Sequence, residues 1–470
     1  MEGRRHNVGA VVPLPFFGLA LWRAWMNLTF VAPSEAIPFL QATSHQFFDL
    51  VMLAAFLMGI AGAKFVSPLT TQRWALAACP ALMMPLSAAS FASAAGFQVD
   101  SLAVPLTVMA SIGSTLMIVL WSERYAGMSP FRVLVGLTGS YALGSVFVFV
   151  MNGFYPSYLA GFTALLPLAS IACLLKTRSA GYPVGALVRV GRKTIPWRLV
   201  AIMVLYSFSI GFSGIQLTGY SDTSAGPIQF LITAPLFAAL VLLTDRVSVI
   251  ALQKLPPMLM ALGFVAVLLS PLLGAPFAGP LISASYLLYY FFVDTSLCDI
   301  AKRFGISAVW LFSIEEAASM GSKLAGDALR TALCIEPLGA SGAASPYIMA
   351  LLALAAVAGA LLLFEDRGLK AQWGIRFLEA GALSPHFERE TLTAQWVRDT
   401  ALAHRLSPRE EEVLERLVHG QSMQAIASEL VIAEGTAKSH ASHVYEKLGV
   451  RNRRELASIA EEAITRVSGD

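Results

Sequence analysis

Apolar residues along the first 370 positions come in runs of about twenty, whereas over the last hundred they thin to the three- and four-residue spacing of short amphipathic helices. A helix crossing about 30 Å of hydrocarbon needs roughly 20 mostly apolar residues, because every backbone polar group must be satisfied within the segment. Twelve such runs are present, near 11–32, 47–66, 74–96, 101–121, 131–151, 156–175, 198–217, 227–244, 257–274, 279–298, 306–327 and 346–364. The pattern predicts an all-α protein: a polytopic membrane helical bundle of about 12 spans followed by a soluble four-helix C-terminal domain.

Lys and Arg test the span count, since short loops retain them on the cytoplasmic side. One set of loops carries Arg4 and Arg5, Lys64 and Arg73, Arg124 and Arg132, the stretch Lys176 to Arg198, Arg246 and Lys254, Lys302 and Arg303, and Arg367 with Lys370. The alternate loops have essentially none, with Arg330 the single exception. Both termini are therefore expected in the cytoplasm. Met1–Asn7 is short and basic, but the apolar run behind it is long enough to span, so no cleavable signal peptide is expected.

Composition agrees and adds a boundary. The 470 residues are 56% hydrophobic and 13% charged, against about 25% charged in soluble domains. Such a chain cannot cover its surface in water, which excludes a soluble enzyme, a disordered chain and a basic nucleic-acid scaffold. Residues 1–370 hold 21 Lys+Arg and 15 Asp+Glu; residues 371–470 hold 12 and 15. Net charge thus changes from +6 to −3. The expected organisation is a membrane domain over 1–370, a connector over 371–404 and a soluble domain over 405–470.

The loop Lys176–Arg198 is the longest between spans and divides the helices six and six. That layout resembles the major facilitator superfamily, whose halves are related by a pseudo-twofold axis and enclose a site at mid-membrane depth. The family's acidic and paired basic loop motif is absent from Gly62–Arg73, which argues against the gating machinery of a working transporter of that type.

Ionisable groups inside spans are costly and mark functional sites by default. The candidates are Arg23 in the first span, Asp49 in the second, Tyr289, Tyr290 and Asp294 in the tenth, and Glu316 and Lys323 in the eleventh. Residues 316, 323 and 327 are separated by seven and four and share a helical face. One reading is a cavity in which Arg23 or Lys323 meets an anionic group of a small-molecule ligand and the Tyr/Phe run packs on its apolar part. The other is interhelical ion pairs with an interfacial aromatic belt. Cys79, Cys173, Cys298 and Cys334 stand singly and read as packing residues. Walker, GxSxG, HExxH and kinase signatures are missing, so no enzyme, cofactor or metal site is expected.

Ser407-Pro408-Arg409-Glu410 is a capping box with Pro at the first helical position. Val413, Leu414, Leu417 and Val418 form one stripe, and Gly420 stops the helix. A second helix follows over 422–430, a turn over 431–435 and a third helix over 436–448. A fourth begins near Asn452 with Leu456, Ile459, Ala460 and Ala463 on one side. This is a helix-turn-helix unit. The segments Leu406–Leu414, Thr436–His440 and Tyr445–Val450, with Arg454-Glu455-Leu456, closely resemble the LuxR-type DNA-binding domain. Ala433 stands where that family usually has a capping Ser, and Ala437 where it usually has Val.

Acidic residues gather on the first of these helices and basic ones at the third and just beyond, so one face alone can approach phosphate. Resemblance to the family implies Lys438, Ser439 and Ser442 as base readers and a homodimer formed through the fourth helix. Gln424, Thr436, His443, Lys447 and Arg453 are placed for phosphates, and His440 for the interior. The alternative is a solvated basic face on an ordinary bundle. Together the halves point to a one-component transcriptional regulator seated in the lipid bilayer of a prokaryotic inner membrane, binding double-stranded promoter DNA and sensing an unknown small molecule in or outside the membrane. A transporter with a fused regulatory domain is the alternative.

Overall fold

The computed structural model describes residues 12–31, 33–41, 45–177, 195–218, 225–242, 249–269, 278–333, 355, 359, 393, 396–401, 403–430 and 432–468. The chain divides into two compact units, Met1–Ala380 and Gly381–Asp470. The expected twelfth span, most of the connector, residues 178–194 of the long basic loop and Cys334 lie outside the described residues.

In the first unit each of the first eleven apolar runs is helical. The first is composite: a 3-10 turn Leu14–Gly18, the helix α1 (Leu19–Met26) and a π segment Asn27–Val31. There follow α2 (His45–Val66), α3 (Arg73–Ala94), α4 (Ala103–Ala126), α5 (Pro130–Met151), α6 (Pro156–Lys176), α7 (Trp197–Thr218), α8 (Ala225–Leu242), α9 (Val249–Leu268), α10 (Ala278–Phe304) and α11 (Ala308–Ala332). Six segments among the described residues are long and apolar enough to cross a membrane: α2, α3, Asp100–Ala126, α5, α6 and Ala278–Lys302. Prolines inside α3, α6, α8 and α9 do not end them; neighbouring helices can re-satisfy the freed carbonyls in such bundles.

Among the described residues the helices pack as a first group of six, α1 to α6, and a second group that includes α7 to α11. The halves meet where α2 packs on α11 and α5 on α8. A shift of six in helix number turns one of these pairs into the other, as a repeat related by a twofold axis requires.

Within a bilayer, helices associate through close packing and polar bonds rather than through exclusion of water. In the first half, indole N–H groups donate to serines on other helices: Trp22 to Ser114 at 2.8 Å, Trp25 to Ser87 at 2.8 Å and Trp121 to Ser170 at 3.0 Å. In the second half α7 and α11 touch through glycines. A Cβ at Gly211 would overlap the Lys323 carbonyl, and one at Gly326 the Phe208 carbonyl.

The loop between α2 and α3 is held by two contacts. Glu123 of α4 is buried and accepts from the backbone N–H groups of Leu69 at 2.9 Å and Thr70 at 2.7 Å. Ser307, the N-cap of α11, donates to Ser67 at 3.0 Å.

The second unit contains α12 (Pro408–Val418), α13 (Met423–Leu430), α14 (Glu434–Leu448) and α15 (Arg453–Ser468). The capping box is formed: Ser407 Oγ accepts from Glu410 N at 3.3 Å, while Ser407 N donates to Glu410 Oε2 at 2.7 Å. Gly420 and Gly449 take left-handed backbone, φ +84° and +70°, where a Cβ would be strained. The core joins Val413, Leu414 and Leu417 of α12 to Ile426 and Leu430 of α13, Ala437, Ala441 and Val444 of α14, and Leu456 of α15. Val397, from helical residues 396–401, belongs to the same core. Ile459 is 43% exposed although Leu456 and Ala460 on the same helix are buried, so the inward stripe of α15 is narrower than its spacing predicts.

Candidate nucleic-acid interface and membrane cavity

The core of the second unit fixes which residues of α14 face outward. Ala437, Ala441 and Val444 are buried, so Thr436, Lys438, Ser439, Ser442 and His443 all lie on the exposed side, with His440 half-buried. Gln424 is exposed on α13. Lys438 ion-pairs with Glu434 one turn earlier at 2.8 Å, both side chains in solvent, a contact a phosphate or a base can displace cheaply. Ala433 caps α14 with no side-chain hydrogen bond, as its sequence implies.

Lys447 and Arg453 are tied more firmly into the fold. The Lys447 ammonium donates to Glu410 Oε2 at 2.6 Å, and its carbonyl lies 2.9 Å from His404 Nδ1. Glu410 is buried beneath α14, with His443 Nδ1 at 3.9 Å from its other oxygen. The hydrogen bond from Lys447, reinforced by the Ser407 N–H, holds the Glu410 carboxyl down at about 2. Glu410 is therefore an internal brace between α12 and α14 rather than part of the acidic outer face. Arg453 is half-buried, and its Nη2 has no hydrogen-bond partner among the described residues.

The first unit encloses a cavity of about 610 Å³ lined from both halves: α1, α2, α4 and α5 on one side, α7, α8, α10 and α11 on the other. Five of the seven residues singled out from sequence line it, namely Arg23, Asp49, Tyr290, Glu316 and Lys323. Tyr289 does not: it is fully buried and stacked on Tyr206, ring centroids 4.7 Å apart. Helical periodicity explains this, because 286 and 290 share the face toward the cavity and 289 is rotated away. Asp294 lines a small neighbouring void with Tyr141 and Tyr290.

Most of the charges in the cavity are paired. Lys323 Nζ is 2.6 Å from Asp49 Oδ2, with His45 Nε2 at 3.3 Å from the same ammonium. Asp327 is bonded by Arg330 and, at 2.6 Å, by Gln46 Nε2. The guanidinium of Arg23 lies 4.1 Å from the centroid of the Tyr141 ring, close enough for cation–π attraction. Sequence reasoning missed Trp22, His45, Gln46, Tyr141 and Arg330 as lining residues. Arg330 had a visible signal: it is the lone basic residue in the arginine- and lysine-poor loop set, and its ion pair with Asp327 accounts for its presence there.

Residues 404–460 match the family model described as bacterial regulatory proteins, luxR family. The C-terminal segment is a LuxR-type DNA-binding domain. It is 50% identical over 64 residues to NarL of Mycobacterium tuberculosis (strain ATCC 25618 / H37Rv), named a probable transcriptional regulatory protein; the match covers 14% of this chain and 29% of that one. The transcriptional regulatory protein DesR of Bacillus subtilis (strain 168) is 42% identical over 60 residues, covering 13% and 30%. The chain thus spans about a third of the length of these curated relatives. The spore germination protein GerE of the same organism is 46% identical over 50 residues, 11% of this chain and 68% of that one.

The membrane part is similar in fold to a bacterial homologue of the iron transporter ferroportin in its outward-facing state. That structure has a TM-score of 0.50 and 14% identity, over 77% of this chain and 98% of the other. The protein is thus a LuxR-type DNA-binding domain fused to a membrane domain of transporter-like fold.

Proposed function

We propose that the protein is a membrane-embedded one-component transcriptional regulator, in which a small molecule bound between the two helical halves controls promoter binding by the LuxR-type domain. The observation that carries this reading is the presence, in one chain, of a DNA-binding domain and a bundle whose seam holds a large cavity with charged and aromatic walls. Residues 371–404 are too few for a receiver domain, since compact domains run from about 50 residues upward. The ligand acts through its different affinity for two arrangements of the bundle.

On DNA, Lys438, Ser439 and Ser442 read base edges in the major groove, and Gln424, Thr436, His443, Lys447 and Arg453 contact phosphates. The exposure of Ile459 on α15 supports a homodimer through that helix. Alternation of basic loops supports cytoplasmic termini, the joining of a DNA-binding domain to a membrane domain supports a prokaryotic inner membrane, and no enzymatic step is assigned. The proposed domains are 1–370 and 405–470 with a connector over 371–404, and the division between the compact units at Ala380 and Gly381 falls inside that connector.

The rival is a transporter carrying a regulatory domain. Sealed vesicles containing the full chain distinguish them: the regulator binds its inducer without saturable uptake, whereas uptake favours the rival. In cells, Arg23→Gln should abolish induction while leaving promoter binding intact; normal induction in that variant refutes the cavity as the sensing site.

A further inference from the structure

The cavity carries six formally charged side chains from three helices, α1, α2 and α11, and four of them cancel in place. Lys323 is neutralised by Asp49 and Arg330 by Asp327. The remaining two are Arg23 on α1 and Glu316 on α11. Among the described residues neither has an ion-pair partner within 4.0 Å, and the Arg23 Nε makes no hydrogen bond. Glu316 is 5% exposed. One cation and one anion thus stand on the walls of a single membrane-embedded cavity, from opposite halves of the bundle, within electrostatic reach of each other but not in ion-pair contact, with Glu316 also hydrogen-bonded to Tyr290.

The bilayer interior penalises any uncompensated charge by several kcal/mol. A purely anionic ligand would neutralise Arg23 and leave Glu316 in surplus; a purely cationic one would do the reverse. A ligand carrying both charges leaves neither. Aromatic rings make up part of the remaining lining: Tyr141 and Tyr290 have ring centroids 6.0 Å apart, Tyr286 and Tyr290 6.4 Å, and Trp22 borders the same space. Such rings form a shelf for a flat apolar group.

Resting on the regulator reading above, we infer that the cavity binds a zwitterion of amino-acid type with an aromatic side group, its carboxylate on Arg23 and its ammonium on Glu316. Arg suits the first role because its planar fork matches a carboxylate bidentately. Lys323, the other cation first considered for an anionic group, is already occupied by Asp49.

The test uses three probes of one skeleton on the full-length protein in lipid nanodiscs: phenylalanine, 3-phenylpropanoate and phenethylamine, each titrated into the millimolar range with intrinsic tryptophan fluorescence and thermal melting as readouts. Phenylalanine is expected to bind at least about tenfold more tightly than either singly charged analogue, the effect of one lost charge-assisted hydrogen bond. Arg23→Gln should erase its advantage over phenethylamine, and Glu316→Gln its advantage over 3-phenylpropanoate. Equal or tighter binding of either analogue to the unaltered protein, or binding of none of the three, overturns the inference without recourse to a variant. A promoter-binding assay with the same probes separates the two readings: phenylalanine bound without any change in DNA binding sinks the regulator and leaves the chemistry of the cavity standing.

Discussion

Lys323 of α11 donates to Asp49 of α2 across the seam between the two helical halves, Nζ to Oδ2 at 2.6 Å, with the Asp49 side chain 3% exposed and that of Lys323 29%. Removing one partner of such a part-buried pair leaves a poorly compensated charge on the other, at a cost of up to about 3 kcal/mol. Asp49→Asn and Lys323→Met should each lower the melting temperature of the detergent-solubilised protein, and the double variant should melt well above the sum of the two losses. A coupling of at least about 1 kcal/mol is expected from neighbours in one network. Additive losses would show that the two side chains do not depend on one another.

The α7–α11 contact makes a second prediction. Gly211 faces the backbone carbonyl of Lys323 with no room for a Cβ, and backbone yields less readily than a side chain. Gly211→Ala should destabilise the bundle by about 1–3 kcal/mol, the usual range for overpacking. Gly62, inside α2 with nothing within 4 Å of its Cβ position, is the control. Gly62→Ala should be neutral or stabilising, because alanine favours helix. Identical melting of the two variants would refute the close approach.

Glu410 gives the DNA-binding domain a pH signature. Its carboxyl is held at about 2, below the ordinary 4.5, by the bond from Lys447 and then by the Ser407 N–H. A depressed carboxyl contributes stability that is fully present above pH 4.5 and is lost as pH falls toward 2. Denaturant melts of a fragment from Gly381 to Asp470 should therefore weaken through that window. Glu410→Gln should be less stable at neutral pH, by about 1–3 kcal/mol for a lost charged hydrogen bond, and should flatten the acid dependence. An unchanged acid profile in that variant assigns the effect to other carboxylates.

On the exposed side of α14, Lys438→Ala should lose sequence-specific promoter protection while the domain stays folded, since Lys438 contributes nothing to the core. One base contact accounts for about 1–3 kcal/mol of discrimination. Footprints that match the unaltered protein would remove Lys438 from the set of base readers.

Much of this was legible along the chain because it is local. Twenty-residue apolar runs placed eleven helices, and Ser407 with Glu410 announced a capping box that the structure forms. The separation of 316, 323 and 327 by seven and four correctly set them on one face, and all three line the cavity. Relations that depend on tertiary packing were not legible. Nothing near Asp49 in sequence points to Lys323, 274 residues away. Tyr289 and Tyr290 are adjacent in sequence, yet one is sealed against Tyr206 and the other borders the cavity. Glu410 reads as one of several surface acids until Lys447 is seen above it.

That last contact limits how a message can reach DNA. With α12 pinned to α14 through a buried carboxylate, and α13 locked to both by a shared core, α14, the helix proposed to read DNA, has little slack of its own. A signal arriving from the bilayer would therefore be written in stoichiometry and residence time: how many copies of an unchanged module meet on one operator, and how long they stay.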